Sequence, residues 1–187
     1  MPGNLVPSVV LKQVVTLSGQ EIGRCYQCEK CSVGCPVADF SDLLPHQVAQ
    51  LLALGHVPQV LASSMVWLCV GCETCGQRCP NQINLRPVMD ALKHLTKVYG
   101  IAPREKGIVA FHRSFLDDVK AHGRVHEATM LAAYKVRSGD LFSDLALGMK
   151  LFSKSKIPLR PRKGADAQEV QGLFQKASGH PSESVGE

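Results

Sequence analysis

Apolar residues recur at helical spacing along most of the chain. Leu44, Val48, Leu51 and Leu52 share one face, Pro45 suits a first turn and Gly55 the position just past the end, so the pattern predicts a helix from about 45 to 54. A second short helix is expected from Pro58 to about Met65. Leu85, Val88, Leu92, Leu95 and Val98 form a longer stripe, with Asn84 as N-cap, Pro87 in the tolerant first turn and Gly100 as stop. Further on, Ile108, Phe111, Phe115 and Val119 mark a helix ending near Gly123, Leu141, Leu145, Met149 and Phe152 mark another, and a last one is expected from about Asp166 to Ala177. The valine-rich run from Val9 to Leu17 lacks a clean period, which leaves strand and helix both open. The fold class read from this pattern is all-α.

Eight cysteines interrupt it in two blocks: Cys25, Cys28, Cys31, Cys35-Pro36 and Cys69, Cys72, Cys75, Cys79-Pro80. Each spells C-x2-C-x2-C-x3-C-P, and the second repeats the first 44 positions later, as a unit with pseudo-two-fold symmetry would. Thiolates select zinc, copper(I) or iron–sulfur clusters. The tandem run followed by proline is the bacterial cluster pattern, in which the fourth cysteine serves the other cluster. The expected ligand sets are therefore Cys25, Cys28, Cys31 and Cys79 for one [4Fe-4S] cluster, and Cys69, Cys72, Cys75 and Cys35 for a second. The proline after each fourth cysteine disfavours helix there and turns the chain toward the other site. Zinc, whose four-cysteine sites show two separated C-x2-C pairs, fits less well. Two clusters held by one interlaced motif lie close together, which is what an electron relay needs.

Composition narrows the function further. Lys and Arg outnumber Asp and Glu by 21 to 16. None of the ten aromatic residues sits in an aromatic-rich basic segment of the kind that stacks bases, so the charge does not read as a nucleic-acid surface. The N-terminus lacks the features of a secretory signal, and the chain reads as cytoplasmic, where eight cysteines serve metal or redox chemistry rather than disulfides. From Leu43 to Cys72 there are 30 residues without Asp, Glu, Lys or Arg. Pro45, Gly55, Pro58 and several His, Gln and Ser residues disqualify the run as a transmembrane helix, so no membrane insertion is expected. It reads either as plain helical core or as a dry cover over the clusters. His46, His56, His94, His112, His122, His126 and His180 are scattered, no glycine motif suggests a bound flavin or nucleotide, and no catalytic constellation emerges. The basic segment from Lys154 to Lys163 is either a solvated connector or a docking strip for an acidic partner.

The expected organisation is an N-terminal arm over 1–20, a dicluster domain over 21–100, a helical docking region over 101–177 and a disordered tail over 178–187. Thiolate ligation also changes the charge. Eight thiolates against two oxidised cores of about +2 each bring the formal +5 to about +1, and one electron per cluster brings it to about −1.

The cysteine blocks with their neighbours, Cys25-Tyr-Gln-Cys-Glu-Lys-Cys-Ser-Val-Gly-Cys-Pro36 and Val66-Trp-Leu-Cys-Val-Gly-Cys-Glu-Thr-Cys-Gly-Gln-Arg-Cys-Pro80, resemble the C subunit of heterodisulfide reductase. So do Pro45-His-Gln-Val48, His122-Gly-Arg-Val-His-Glu127, Gly139-Asp-Leu-Phe142 and the Lys-Ile-Pro-Leu-Arg-Pro segment, so that the likeness runs over roughly residues 15–178. The resemblance implies an α-helical ferredoxin domain and all eight cysteines as cluster ligands. It also implies two heterodisulfide reductase-like partners: the A subunit, which contains flavin, and the B subunit, which reduces the disulfide at CCG-type clusters. The present chain would stand between them. It has no adjacent Cys-Cys pair, so the resemblance puts the disulfide-reducing site outside this chain. The alternatives are the iron–sulfur subunit of a glycolate, glycerol-3-phosphate or succinate dehydrogenase, or a zinc-stabilised interaction module.

Overall fold

A computed structural model describes residues 6–140, 150, 154 and 167–179. All regular structure among them is helical. The chain divides into two compact units, residues 1–105 and 106–187.

The first unit is organised around two long helices. α1 (Pro7–Ser18) begins on a proline, where a missing N–H costs nothing, and ends at Gly19, whose left-handed backbone (φ 63°) lets its N–H reach the Val15 carbonyl at 2.8 Å. The open run Val9–Leu17 is thus helix. Its buried Val10, Val14 and Ser18 recur every four residues and face the longest helix of the unit, Leu85–Val98.

Between these two helices lie short ones. They are α2 (Lys30–Val33), α3 (Pro45–Ala53), α4 (Val57–Leu61), α5 (Met65–Leu68) and α6 (Thr74–Arg78), with single 3-10 turns at Ile22–Arg24 and Ala38–Phe40. α3 follows the expected pattern: Pro45 starts it and Gln47 Oε1 accepts the Leu44 N–H at 2.9 Å. α7 (Leu85–Val98) begins with the Asn84 side chain accepting the Arg86 N–H at 3.0 Å. Fully buried Val48, Leu52, Val60, Val66, Val88 and Leu92 join α3, α4, α5 and α7 into one apolar core. The charge-free run therefore supplies much of this core.

Asp42, just before that run, does the polar work for it. Its carboxylate accepts the hydroxyls of Ser63 (2.6 Å) and Ser64 (2.8 Å) and the amides of Ser64 (3.0 Å) and Met65 (3.3 Å), tying residue 42 to the start of α5. Burial works to raise its pKa, yet the hydrogen bonds outweigh it and hold the carboxyl well below the usual range. Arg104 Nη1 adds an ion pair at 2.8 Å.

The second unit contains α8 (Lys106–His122) and α9 (Glu127–Ser138), packed together, and α10 (Ala167–Gly179), packed on α8. Among the described residues of this unit the buried ones are mostly polar: Ser114, Asp118 and His126, with Met130. Asp118 accepts the His126 N–H and the Thr129 hydroxyl, both at 2.5 Å, and lies 3.2 Å from His122 Nδ1. Burial raises its pKa, but these donors and the nearby imidazoles prevail and hold it below the ordinary value. Gly123 (φ 75°) ends α8, and a Cβ there would sit 2.6 Å from the Ala167 Cα.

α9 has no counterpart in the hydrophobic pattern, because Met130 is its only buried apolar side chain. The helix marked by Leu141, Leu145, Met149 and Phe152, nearly all of the basic segment from Lys154 to Lys163, and most of the expected tail lie outside the described residues. Among the described residues no helix is long and apolar enough to cross a membrane.

Candidate metal centre

The 44-residue repeat of the cysteines is also a repeat of backbone conformation. Each block is entered from a short helical turn, Ile22–Arg24 or α5, whose buried Ile22 or Val66 anchors it to the core. Cys25 (φ −67°, ψ 123°) and Cys69 (φ −57°, ψ 116°) then leave the turn extended. Two residues on, Gln27 (φ 57°) and Gly71 (φ 66°) are left-handed, and two further, Glu29 and Glu73 (both φ 62°) are left-handed again. Such alternation makes a concave loop whose amides face inward, a form suited to anionic groups and iron–sulfur sites. Each loop then rises into a one-turn helix carrying the third cysteine, Cys31 on α2 and Cys75 on α6.

α2 and α6 pack against each other. The pseudo-equivalent positions 34 and 78 meet: a Cβ on Gly34 would lie 2.5 Å from the Arg78 guanidinium and would displace the end of that side chain. At Gly76 a Cβ would come within 2.8 Å of the short Asn84 side chain that caps α7, so glycine there is a packing requirement.

The structure gathers cysteines from both blocks. Cys35 lines one small hollow with Cys69, Cys72 and Cys75 of the second block, and Cys31 reaches the same hollow. Pro45, Met65, Leu85 and Met89 supply its apolar wall. After Cys79 the chain returns to the first block, where the Asn81 side chain donates to the carbonyl of Arg24, next to Cys25. Cys28 and Cys72 are the exposed members of their blocks.

Burial raises the pKa of Cys31, Cys35 and Cys69, and neighbouring cysteines add to it. Backbone amides of Val37 and Ala38 at Cys35, and of Gly71 at Cys69, oppose that rise. At Cys72 the Thr74 hydroxyl and amide lower the pKa. Thiols crowded together, raised by burial and yet supplied with N–H donors suit a positive metal core that would hold them as thiolates. Cys35 and the cysteines of the second block line one space, as the ligands of a cluster would.

Several supporting residues carry no signal in the amino-acid pattern. Ser32 Oγ accepts the His46 N–H at 3.1 Å and shares a 2.7 Å hydrogen bond with His46 Nδ1, joining α2 to the start of α3. Lys93 Nζ donates to the Cys69 carbonyl at 3.2 Å. Gln27 Nε2 lies 3.2 Å from Cys25 Sγ. Aligning the blocks at 44 residues flags position 27 as unequal to 71, but nothing in periodicity marks a glutamine as a sulfur neighbour. Trp67 is buried as a packing residue, and its Nε1 has no hydrogen-bond partner among the described residues.

Comparison with known proteins agrees with this arrangement. Residues 24–84 match the family model of a 4Fe-4S dicluster domain. The chain is 32% identical over 90 residues to the C subunit of ferredoxin:CoB-CoM heterodisulfide reductase from Methanosarcina acetivorans, covering 48% of this chain and 36% of that one. It is 30% identical over 89 residues to the iron-sulfur C subunit of CoB–CoM heterodisulfide reductase from Methanopyrus kandleri, 48% of this chain and 46% of that one. Against the C subunit of H(2):CoB-CoM heterodisulfide,ferredoxin reductase from Methanothermobacter thermautotrophicus it is 24% identical over 132 residues, 70% and 69% of the two chains. The chain thus spans less than half the length of the first two relatives and about two thirds of the third. Residues 24–84, with their paired cysteine loops, thus match a 4Fe-4S dicluster domain, and the chain is similar to the iron–sulfur C subunits of heterodisulfide reductases.

Proposed function

We propose that this chain is the electron-relay subunit of a cytoplasmic heterodisulfide reductase-like complex. It stands between two partners, the flavin-containing A subunit, which delivers electrons, and the B subunit, which reduces a disulfide at CCG-type clusters. Cys25, Cys28, Cys31 and Cys79 hold one [4Fe-4S] cluster, and Cys69, Cys72, Cys75 and Cys35 hold the other. When bound, the two clusters supply one-electron carriers. The observation that carries this reading is Cys35 lying in one hollow with Cys69, Cys72 and Cys75. That proximity supports crossed ligation over two self-contained sites. Exposed Cys28 and Cys72 give each site an edge open to a partner.

The chain's own residues shape these sites. The left-handed loops present amides to the thiolates, while Met65, Leu85 and Met89 keep water from one side of the hollow. In the second unit Phe111, Phe115, Leu116, Leu131 and Val136 remain exposed, which supports a docking role for the region after the dicluster domain.

Anaerobic reconstitution tests the reading. About eight iron and eight sulfide per chain are expected, with a broad visible band bleached by dithionite. Stoichiometric zinc without colour would overturn it. Cys35→Ala should damage the site built on the second block and Cys79→Ala the site built on the first, and the reverse pattern by EPR would refute crossed ligation. Affinity isolation from native cells should recover a flavoprotein and a protein with CCG-type clusters.

A further inference from the structure

Gln27 and Gly71 occupy equivalent places in the two blocks, 44 residues apart, with the same left-handed backbone (φ 57° and 66°). The loops match and the side chains do not. Gln27 Nε2 lies 3.2 Å from Cys25 Sγ and 3.2 Å from the His46 carbonyl oxygen. A carbonyl oxygen only accepts, so the contact to His46 orients the amide with its NH2 group inward, and the second N–H is left for the sulfur. The half-buried side chain is thus held as a sulfur donor by its own second bond.

No comparable side chain among the described residues serves the second block. The nearest is Thr74, whose hydroxyl is 3.4 Å from Sγ of the exposed Cys72, where water competes. Lys93 reaches the Cys69 carbonyl rather than its sulfur. In the first block Ser32 Oγ stands 3.9 Å from Cys31 Sγ and is already engaged by His46. Gly71 offers nothing beyond its backbone.

We propose that Gln27 is a redox-tuning residue: its amide N–H raises the reduction potential of the cluster held by Cys25, Cys28, Cys31 and Cys79, so that two sites of matching backbone become unequal carriers. The inference rests on the cluster-binding function proposed for these cysteines. Reduction adds negative charge that spreads onto the sulfurs, and an N–H dipole aimed at one of them stabilises the reduced form more than the oxidised one. The donor acts on the electron acceptor through its ligand, so its effect belongs in the potential rather than in cluster content.

The test is a potentiometric EPR titration of the reconstituted full chain. Gln27→Met keeps the bulk and removes the donor. It should retain about eight iron and lower the potential of one cluster, shifting the oxidised-to-reduced ratio at fixed potential about tenfold, or about 59 mV for one electron, while the other cluster stays in place. Gly71→Gln should raise the other cluster's potential. A loaded Gln27→Met protein that titrates like the wild type overturns the proposal. Should Gln27→Met lose iron, Gly71→Gln decides in the same titration, and an unmoved second potential overturns it. A wild-type chain that takes up no iron and sulfide would overturn the cluster reading itself, and the tuning role with it.

Discussion

The two units of this chain are both helical, yet their buried residues differ in balance. The first, residues 1–105, buries Val10, Val14, Val48, Leu52, Val60, Val66 and Leu92 completely and encloses a few small polar residues, Ser63, Ser64 and Thr96 among them. In the second, residues 106–187, the buried residues among those described are Ser114, Asp118, His126 and Met130, while Phe111, Phe115 and Leu116 stay exposed on α8. A unit that must hold eight thiols in two loops needs a rigid frame, and apolar packing provides one without competing for the sulfurs. A unit held by a hydrogen-bonded network uses little apolar surface internally. That surface is then free for a partner protein.

The contrast predicts different weak points. Leu92, fully buried on α7, touches the core that anchors both cysteine loops, so Leu92→Ala should cost about 4 kcal/mol. Denaturant unfolding of the loaded protein should show an early loss of cluster absorbance, with the amides of α8 and α9 exchanging as in the wild type. Equal loss of protection in both units would mean that they do not stand on separate cores.

Asp118→Ala should be the counterpart in the second unit, at about 2 kcal/mol, since it leaves the buried His126 N–H without its acceptor, while the Thr129 hydroxyl keeps the His126 carbonyl at 3.1 Å. Hydrogen exchange should quicken in α8 and α9 and not in α7. The same carboxylate makes the unit acid-sensitive. Its folded pKa is depressed, so its contribution is present above the unfolded value near 4 and is lost as pH falls through the lower folded pKa. Asp118→Ala should flatten that acid limb when α9 protection is followed from about pH 6 to about pH 2.

Asp42 offers a smaller version of the experiment in the first unit. Its side chain is partly exposed, so water screens the loss, and Asp42→Ala should cost about 1 kcal/mol, within the range of a helix cap. The specific effect should be local: faster exchange at Ser64 and Met65, the amides that lead into Cys69. Unchanged exchange there would mean that the carboxylate does not hold the entry to the second block.

These differences also explain which features the amino-acid pattern makes legible. The cysteine repeat is legible because ligand spacing writes cluster chemistry directly into the sequence, and α7 is legible because Asn84 and its apolar stripe obey the rules of an amphipathic helix. α9 is not, since Met130 is its one buried apolar side chain and its start is fixed by hydrogen bonds among His126, Thr129 and Asp118, which leave no hydrophobic period. Asp42 and Gln27 are hidden for a related reason. Each acts through one hydrogen-bond geometry, Gln27 on groups 2 and 19 residues away and Asp42 on an amide 23 residues away, that no residue count reveals.

The smallest expected effect is the most direct probe of the contrast. If the first unit stands on its own apolar core, a chain ending at Glu105 should still take up about eight iron and eight sulfide on anaerobic reconstitution, with the EPR signals of the full chain. What it should lose is recovery of partner proteins from native cells, because the exposed α8 and α9 residues would be gone. The two readouts separate the alternatives. Iron uptake falling to about half would tie one cluster to the second unit and end the description of that unit as a docking region alone. Full iron with undiminished recovery of partners would leave the cysteine loops and their exposed edges at Cys28 and Cys72 as the whole interface, and the apolar surface of α8 would need another role.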